Sequence, residues 1–145
     1  MASLDSVEVV MVDVDAEGDL ILEVGRELKN QIQTQEKGGP KPTPVIMRIR
    51  VSSKILSLTS PVFEGMLTRR SREDQLPLGQ DKPLVLEFPE DAPEPMATLC
   101  KVLHYHQDAV RPYSFREMYE ATLTSTNFGC THAMAPWFHR QLHLR

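Results

Sequence analysis

Cysteine is scarce in this sequence. Two thiols, Cys100 and Cys130, stand in 145 residues. A disulfide scaffold uses more, and a chain with this apolar content has no need of one. A basic excess is also lacking: the formal net charge is −4. A module that binds nucleic acid draws most of its affinity from neutralised phosphates, so no nucleic-acid partner is expected. No apolar run approaches the length a bilayer requires, so no membrane partner is expected either. The first residues, MASLDSVEVVMVDVDAEGD, carry acidic groups and no basic segment ahead of an apolar one. They do not read as a secretory signal, and the expectation is a cytoplasmic or nuclear chain with reduced thiols, not a secreted one.

What is present reads as one globular domain. Hydrophobic residues make up 41% and charged residues 25%, close to the average of folded domains. A chain of this length buries roughly 70% of its unfolded surface. Residues 7–14, VEVVMVDV, are β-branched and apolar. Leu20, Leu22 and Val24 alternate with Glu23, and Val45, Met47, Ile49 and Val51 alternate with Arg48 and Arg50. Period-two alternation is the mark of a strand with one covered and one wet face. These two strands read as a hairpin whose connection, 26–44, is polar, ends in GGPKPTP and is expected to be long and flexible.

The period then changes. Ser52 or Ser53 can cap a short helix carrying Ile55 and Leu56. Ser60-Pro61 stops it and starts another, with Val62, Phe63, Met66 and Leu67 on one face. Residues 69–83 are polar and read as a loop. LVLEFP at 84–89 alternates as a third strand. Asp91 and Glu94 have capping-box spacing ahead of Met96, Leu99, Cys100 and Leu103. A second such box, Ser114 and Glu117, precedes an expected inner stripe of Phe115, Met118, Tyr119, Thr122 and Leu123, closed by Gly129. A last helix carries Ala133, Met134, Trp137, Phe138 and Leu142, interrupted by Pro136. The fold class is α+β, a small three-stranded sheet with about five helices. Residues 1–17 form an extension that can add a strand. Its Val7, Val9, Val10, Val12 and Val14 seek a sheet edge, either the chain's own or that of a second copy, which makes a homodimer an expectation.

Reactive constellations are thin. Cys100 lies on an inner helix stripe, where a thiol stays protonated. Cys130 and His132 are too close along the backbone to face each other as nucleophile and base. His139 and His143 share a helix face, and His104 and His106 flank Tyr105, but no paired cysteine ligands accompany them. Gly38-Gly39 leads into Pro40, not into a helix, so no phosphate loop forms. Arg69, Arg70 and Arg72 make the single basic cluster, followed at once by Glu73 and Asp74. No catalytic residue, metal or cofactor is assigned. A small metal-binding or enzymatic protein on the same scaffold is the alternative, since a fold does not fix a function.

The run MRIRVSSKILSLTSPVFEGML resembles the strand-helix-helix centre of BTB/POZ domains, nearest to those of fungal proteins. The matching positions are Val51, Ser52, Ser53, Lys54, Leu56, Ser57, Ser60, Pro61, Val62, Phe63, Met66 and Leu67. GDLILEVG is similar to the family's first strand, LEFPEDAPEPMATLCKVLHYH to its third strand and the helix after it, and CTHAMAPWFHRQL to its closing helix. The resemblance covers about residues 18–143. It implies a protein-interaction module that self-associates or serves as an adaptor, in some relatives to the cullin scaffold of ubiquitin ligases. By the same resemblance the partner surface comprises Glu64, Met66, Arg69, Arg70, Ser71, Glu73 and Tyr105. In cullin-binding members an apolar residue stands two before the Glu that corresponds to Glu73. This chain has Ser71 there, which implies weak cullin binding.

Overall fold

The computed structural model describes residues 8–28, 45–74 and 82–144, with the backbone alone at 71–74. The expected loop lies almost wholly outside the described residues, which resume at Val45; only its first three residues, 26–28, are seen, in a turn. Val7 lies outside them too.

A mixed four-stranded sheet carries five helices, an α+β architecture among the described residues. The strands are β1 (Glu8–Asp13), β2 (Leu20–Val24), β3 (Val45–Val51) and β4 (Leu84–Phe88), in the order β1-β3-β2-β4. The fourth strand is the N-terminal segment, which the count of three left aside. It pairs in parallel with the chain's own β3. β2 runs antiparallel to β3 as the hairpin requires, and parallel to β4.

Register turns the alternation into rows. One inner row reads Val12, Ile49, Leu22, Leu86 across the sheet, and the next reads Val10, Met47, Val24, Phe88. These side chains face the helices and supply most of the sheet's share of the core. The outer row Met11, Arg48, Glu23, Glu87 is polar in its middle. Glu23 sits on the outer face as its alternation demands, yet it is not wet. It is only 6% exposed, because Arg48 (2.8 Å) and Arg26 (3.0 Å) close over its two oxygens. The hydrogen bond from Arg26 leads, and with the two positive charges it outweighs desolvation and holds the carboxyl below the usual carboxylate range. Gly18 makes the turn into β2, where a Cβ would collide with the Val51 carbonyl.

The helices are α1 (Ser53–Thr59), α2 (Pro61–Asp74), α3 (Pro93–Leu103), α4 (Phe115–Asn127) and α5 (Thr131–His143), with a 3-10 turn at Gln107–Val110. Ser52 caps α1. Ser60 accepts from the Phe63 N–H and donates to the Phe128 carbonyl (2.6 Å), so one buried hydroxyl both caps α2 and ties it to the end of α4. α2 runs on through 69–74, which the polar composition had read as a loop. Arg and Glu are good helix formers, and no Pro or Gly interrupts the chain between Gly65 and Pro77. α3 begins at Pro93 with Ala92 as a cap that makes no side-chain bond, so Asp91 and Glu94 form no box. Ala92 precedes a proline and is held extended, which places it at the cap.

The Ser114–Glu117 box forms in full. The stripe it launches is rotated from the expected one. Met118, Ala121 and Ser125 are buried, while Phe115, Tyr119 and Leu123 are exposed. Small Ala121 and Ser125 let α4 approach α3 and α5 closely, which aromatic side chains would prevent. α5 buries Met134, Trp137 and Gln141. Gln141 accepts from the Tyr113 N–H and donates to the Arg111 carbonyl, and Trp137 Nε1 donates to the Ala109 carbonyl. Three bonds thus pin the connection before α4 onto α5.

Phe63 of α2 stacks on Phe128 at 4.6 Å, and Phe88 of β4 stands T-shaped to both rings. Phe63→Ala removes the shared ring and should cost about 3–5 kcal/mol. Leu58→Ala, on the exposed side of α1, should change stability by no more than about 0.5 kcal/mol. Urea unfolding at unchanged slope measures both.

Candidate surface site between α2 and β4

Along α2 the residues facing the core are Phe63 and Leu67. Met66, Arg69 and Arg70 come off an adjoining face, and the chain packs that face beside β4. Together with Val85, Leu86, Glu87 and Phe88 they line a groove of about 550 Å³. Its floor is apolar, from half-buried Met66 and Val85 with the rims of Leu86 and Phe88. Its helix wall is basic, from exposed Arg69 and Arg70. Glu87 lies on the opposite lip, exposed, beside Glu23 in the outer row and within the field of Arg26.

The open side of the groove is the edge of the sheet. β4 pairs with β2 alone among the described strands. The Leu84 N–H donates to the Asp19 carbonyl, and the Phe88 carbonyl accepts from the Gly25 N–H. Backbone bonding direction alternates along a strand, so Leu84, Leu86 and Phe88 turn their polar groups to β2. Val85 and Glu87 turn theirs outward.

The seven residues expected to form a partner surface divide. Met66, Arg69 and Arg70 meet in the groove. Glu64 does not: it is exposed, but two residues along a helix is about 200° of turn, which carries it away from Met66. Ser71 and Glu73 stand in the last turn of α2, with side chains outside the described residues. Tyr105 is elsewhere, just beyond α3. It is 93% exposed and has φ 56°. The Tyr105 N–H donates to the Val102 carbonyl and the His106 N–H to the Lys101 carbonyl, a Schellman closure. α4 ends in the same bond pattern with Gly129 at φ 66°. Tyrosine at such a position costs about 1–2 kcal/mol relative to the right-handed region.

The valines of the extension also divide. Val9 is exposed on the outer face, Val10 and Val12 are half-buried on the inner face, and Val14 is buried. Alternation sends neighbouring residues to opposite faces, so they cannot act as one patch. The groove residues that sequence reasoning missed are those of β4: Val85, Leu86, Glu87 and Phe88. Their alternation was legible in LVLEF, but an edge position is a property of strand order.

A second cleft, of about 310 Å³, opens between α4 and α5. Thr122, Met134, Ala135, Phe138 and Leu142 are among its lining. It is apolar almost throughout and lacks the paired charge and open backbone of the first.

Both thiols are buried. Burial raises the Cys100 thiol pKa far above its usual value, and that of Cys130 to about 11. Cys130 faces inward while His132 is exposed. Among the described residues no three His, Cys, Asp or Glu side chains gather where a metal ion would sit, and no helix is long and apolar enough to cross a membrane.

His104 joins α3 to the start of α1. Its Nδ1–H donates to the Cys100 carbonyl (2.8 Å), and its Nε2 accepts from the Ser52 N–H (3.0 Å). A proton on Nε2 would face another N–H. Burial lowers the imidazole pKa, against the opposing pull of the Cys100 carbonyl and Asp15. The folded value lies below the unfolded one, so the stabilisation is complete above about pH 6.5 and is lost as pH falls through the folded value. The unfolding free energy should decline between pH 7 and the carboxylate range. His104→Leu should remove that part of the slope, as urea unfolding across the window will measure.

No protein-family model, no curated protein and no solved structure matches this chain.

Proposed function

We propose that the chain is a protein-interaction module of the BTB/POZ type, and that the groove between α2 and β4 is where a protein partner docks. The observation that carries this reading is the meeting of Met66, Arg69 and Arg70 with the open edge of β4. An apolar floor supplies desolvation energy, and a basic wall sets partner preference and encounter rate. The motif sequence from Val51 to Leu67 supports the family, and the buried thiols and scattered histidines support a non-catalytic role over an enzyme or metal protein. Adaptor binding to a cullin is the family-level version of this role, with Ser71 in place of an apolar anchor weakening it. A homodimer through β1 is a second reading, favoured by exposed Val9 and Met11 on an edge strand.

Capture from the source cell with the intact chain as bait tests the groove. Met66→Glu places a charge on its floor and should reduce recovery of the partner at least tenfold with unchanged circular dichroism. Leu123→Glu, on the exposed side of α4, should leave recovery unchanged. The reverse pattern assigns the partner to the exposed face of α4 and contradicts the reading.

A further inference from the structure

The two sides of the groove ask for different things. A helix laid against α2 could use Met66 and the arginines, but it would leave the outward backbone groups of Val85 and Glu87 unbonded. An extended chain uses both. We infer that the groove takes an extended, acidic peptide segment, which adds to the sheet as a fifth strand along β4. This deepens the interaction-module reading and rests on it.

The outward N–H and C=O groups of Val85 and Glu87 offer the ladder for a new strand. Neither residue has a strand partner on that side among the described residues. Main-chain bonds in such an addition supply affinity, and pockets for alternate side chains supply specificity. The side chains of an added strand would alternate between two environments. Those turned inward would lie along α2, against Met66 and the Arg69 and Arg70 wall. That side selects an apolar residue followed or preceded by a carboxylate, the charge being complementary to exposed Arg69. Those turned outward would lie beside Val85 and Glu87, where a carboxylate would meet Glu87 and a neutral β-former would not. The occupant is therefore acidic on one face only. On β1, the other edge, exposed Val9 and Met11 dominate the outer face.

The test uses the full chain and a capped nine-residue probe alternating threonine with glutamate and leucine, Thr-Glu-Thr-Leu-Thr-Glu-Thr-Leu-Thr. Binding is read by fluorescence anisotropy of a labelled probe, and its location by amide chemical shifts. The probe should saturate, shift the Val85 and Glu87 amides, and bind at least tenfold more tightly than the same peptide with lysine for glutamate. Arg69→Glu should weaken it at least tenfold. Val85→Pro removes an outward N–H that the β2 ladder does not use, a change an edge strand tolerates, and should also weaken binding at least tenfold. If that variant unfolds at lower temperature, two probes N-methylated on alternate amides replace it. Only one edge of the peptide is used, so one of the pair should bind and the other should not.

Equal binding by the glutamate and lysine probes overturns the inference. So does equal binding by the two methylated probes, or no saturation at 1 mM. Partner capture that still depends on Met66 in those cases leaves the interaction-module reading in place and removes strand addition alone.

Discussion

Phe63 stacked on Phe128, with Phe88 T-shaped to both, is the contact on which the groove between α2 and β4 depends. The three rings come from α2, from the end of α4 and from β4. Ser60 reinforces the same junction, since its hydroxyl caps α2 and reaches the Phe128 carbonyl. Gly129 follows at φ 66° and turns the chain so that α5 can begin. Without that junction α2 has no fixed position over β4, and Met66, Arg69 and Arg70 form no wall. The groove is thus a consequence of core packing one turn away.

The sheet adds a second constraint. Its inner rows are apolar from β1 to β4, and its outer middle row is an ion-paired ladder centred on buried Glu23. A buried carboxylate bonded by two arginines has an unpaired alternative far worse than its paired state. That fixes β2 and β3 in register across their outer face, and β1 and β4 are left as the edges among the described strands. The edges differ in their surroundings. β1 presents Val9 and Met11, and β4 presents Val85 and Glu87 beside the part of α2 that carries Arg69 and Arg70.

Much of this was legible in the sequence where local chemistry decides. The period-two runs at 20–24, 45–51 and 84–88 gave the strands and their faces, Ser60-Pro61 gave the break between α1 and α2, and Ser114–Glu117 gave the start of α4. Strand order was not legible, because it depends on contacts between segments far apart in the chain. The outer face of Glu23 was readable but its burial was not, since Arg26 and Arg48 reach it only in the folded sheet. The stripe of α4 was misread because two apolar arcs fit the same helix. Packing against α3 and α5 chose the arc with Ala121 and Ser125. At the candidate site the sequence named Met66, Arg69 and Arg70, which the fold places in one groove, while Glu64 falls on another side of α2 and Tyr105 beyond α3. The BTB/POZ resemblance gave the expectation of a surface in this region, and the α2–β4 geometry gives that proposal a floor, a wall and an open edge.

Hydrogen–deuterium exchange of the chain alone and with its captured partner tests the central claim most directly. The account predicts new protection at the Val85 and Glu87 amides and along residues 61–70, with the exchange of α5 and β1 unchanged. Protection confined to β1, or to the α4–α5 cleft, would contradict it.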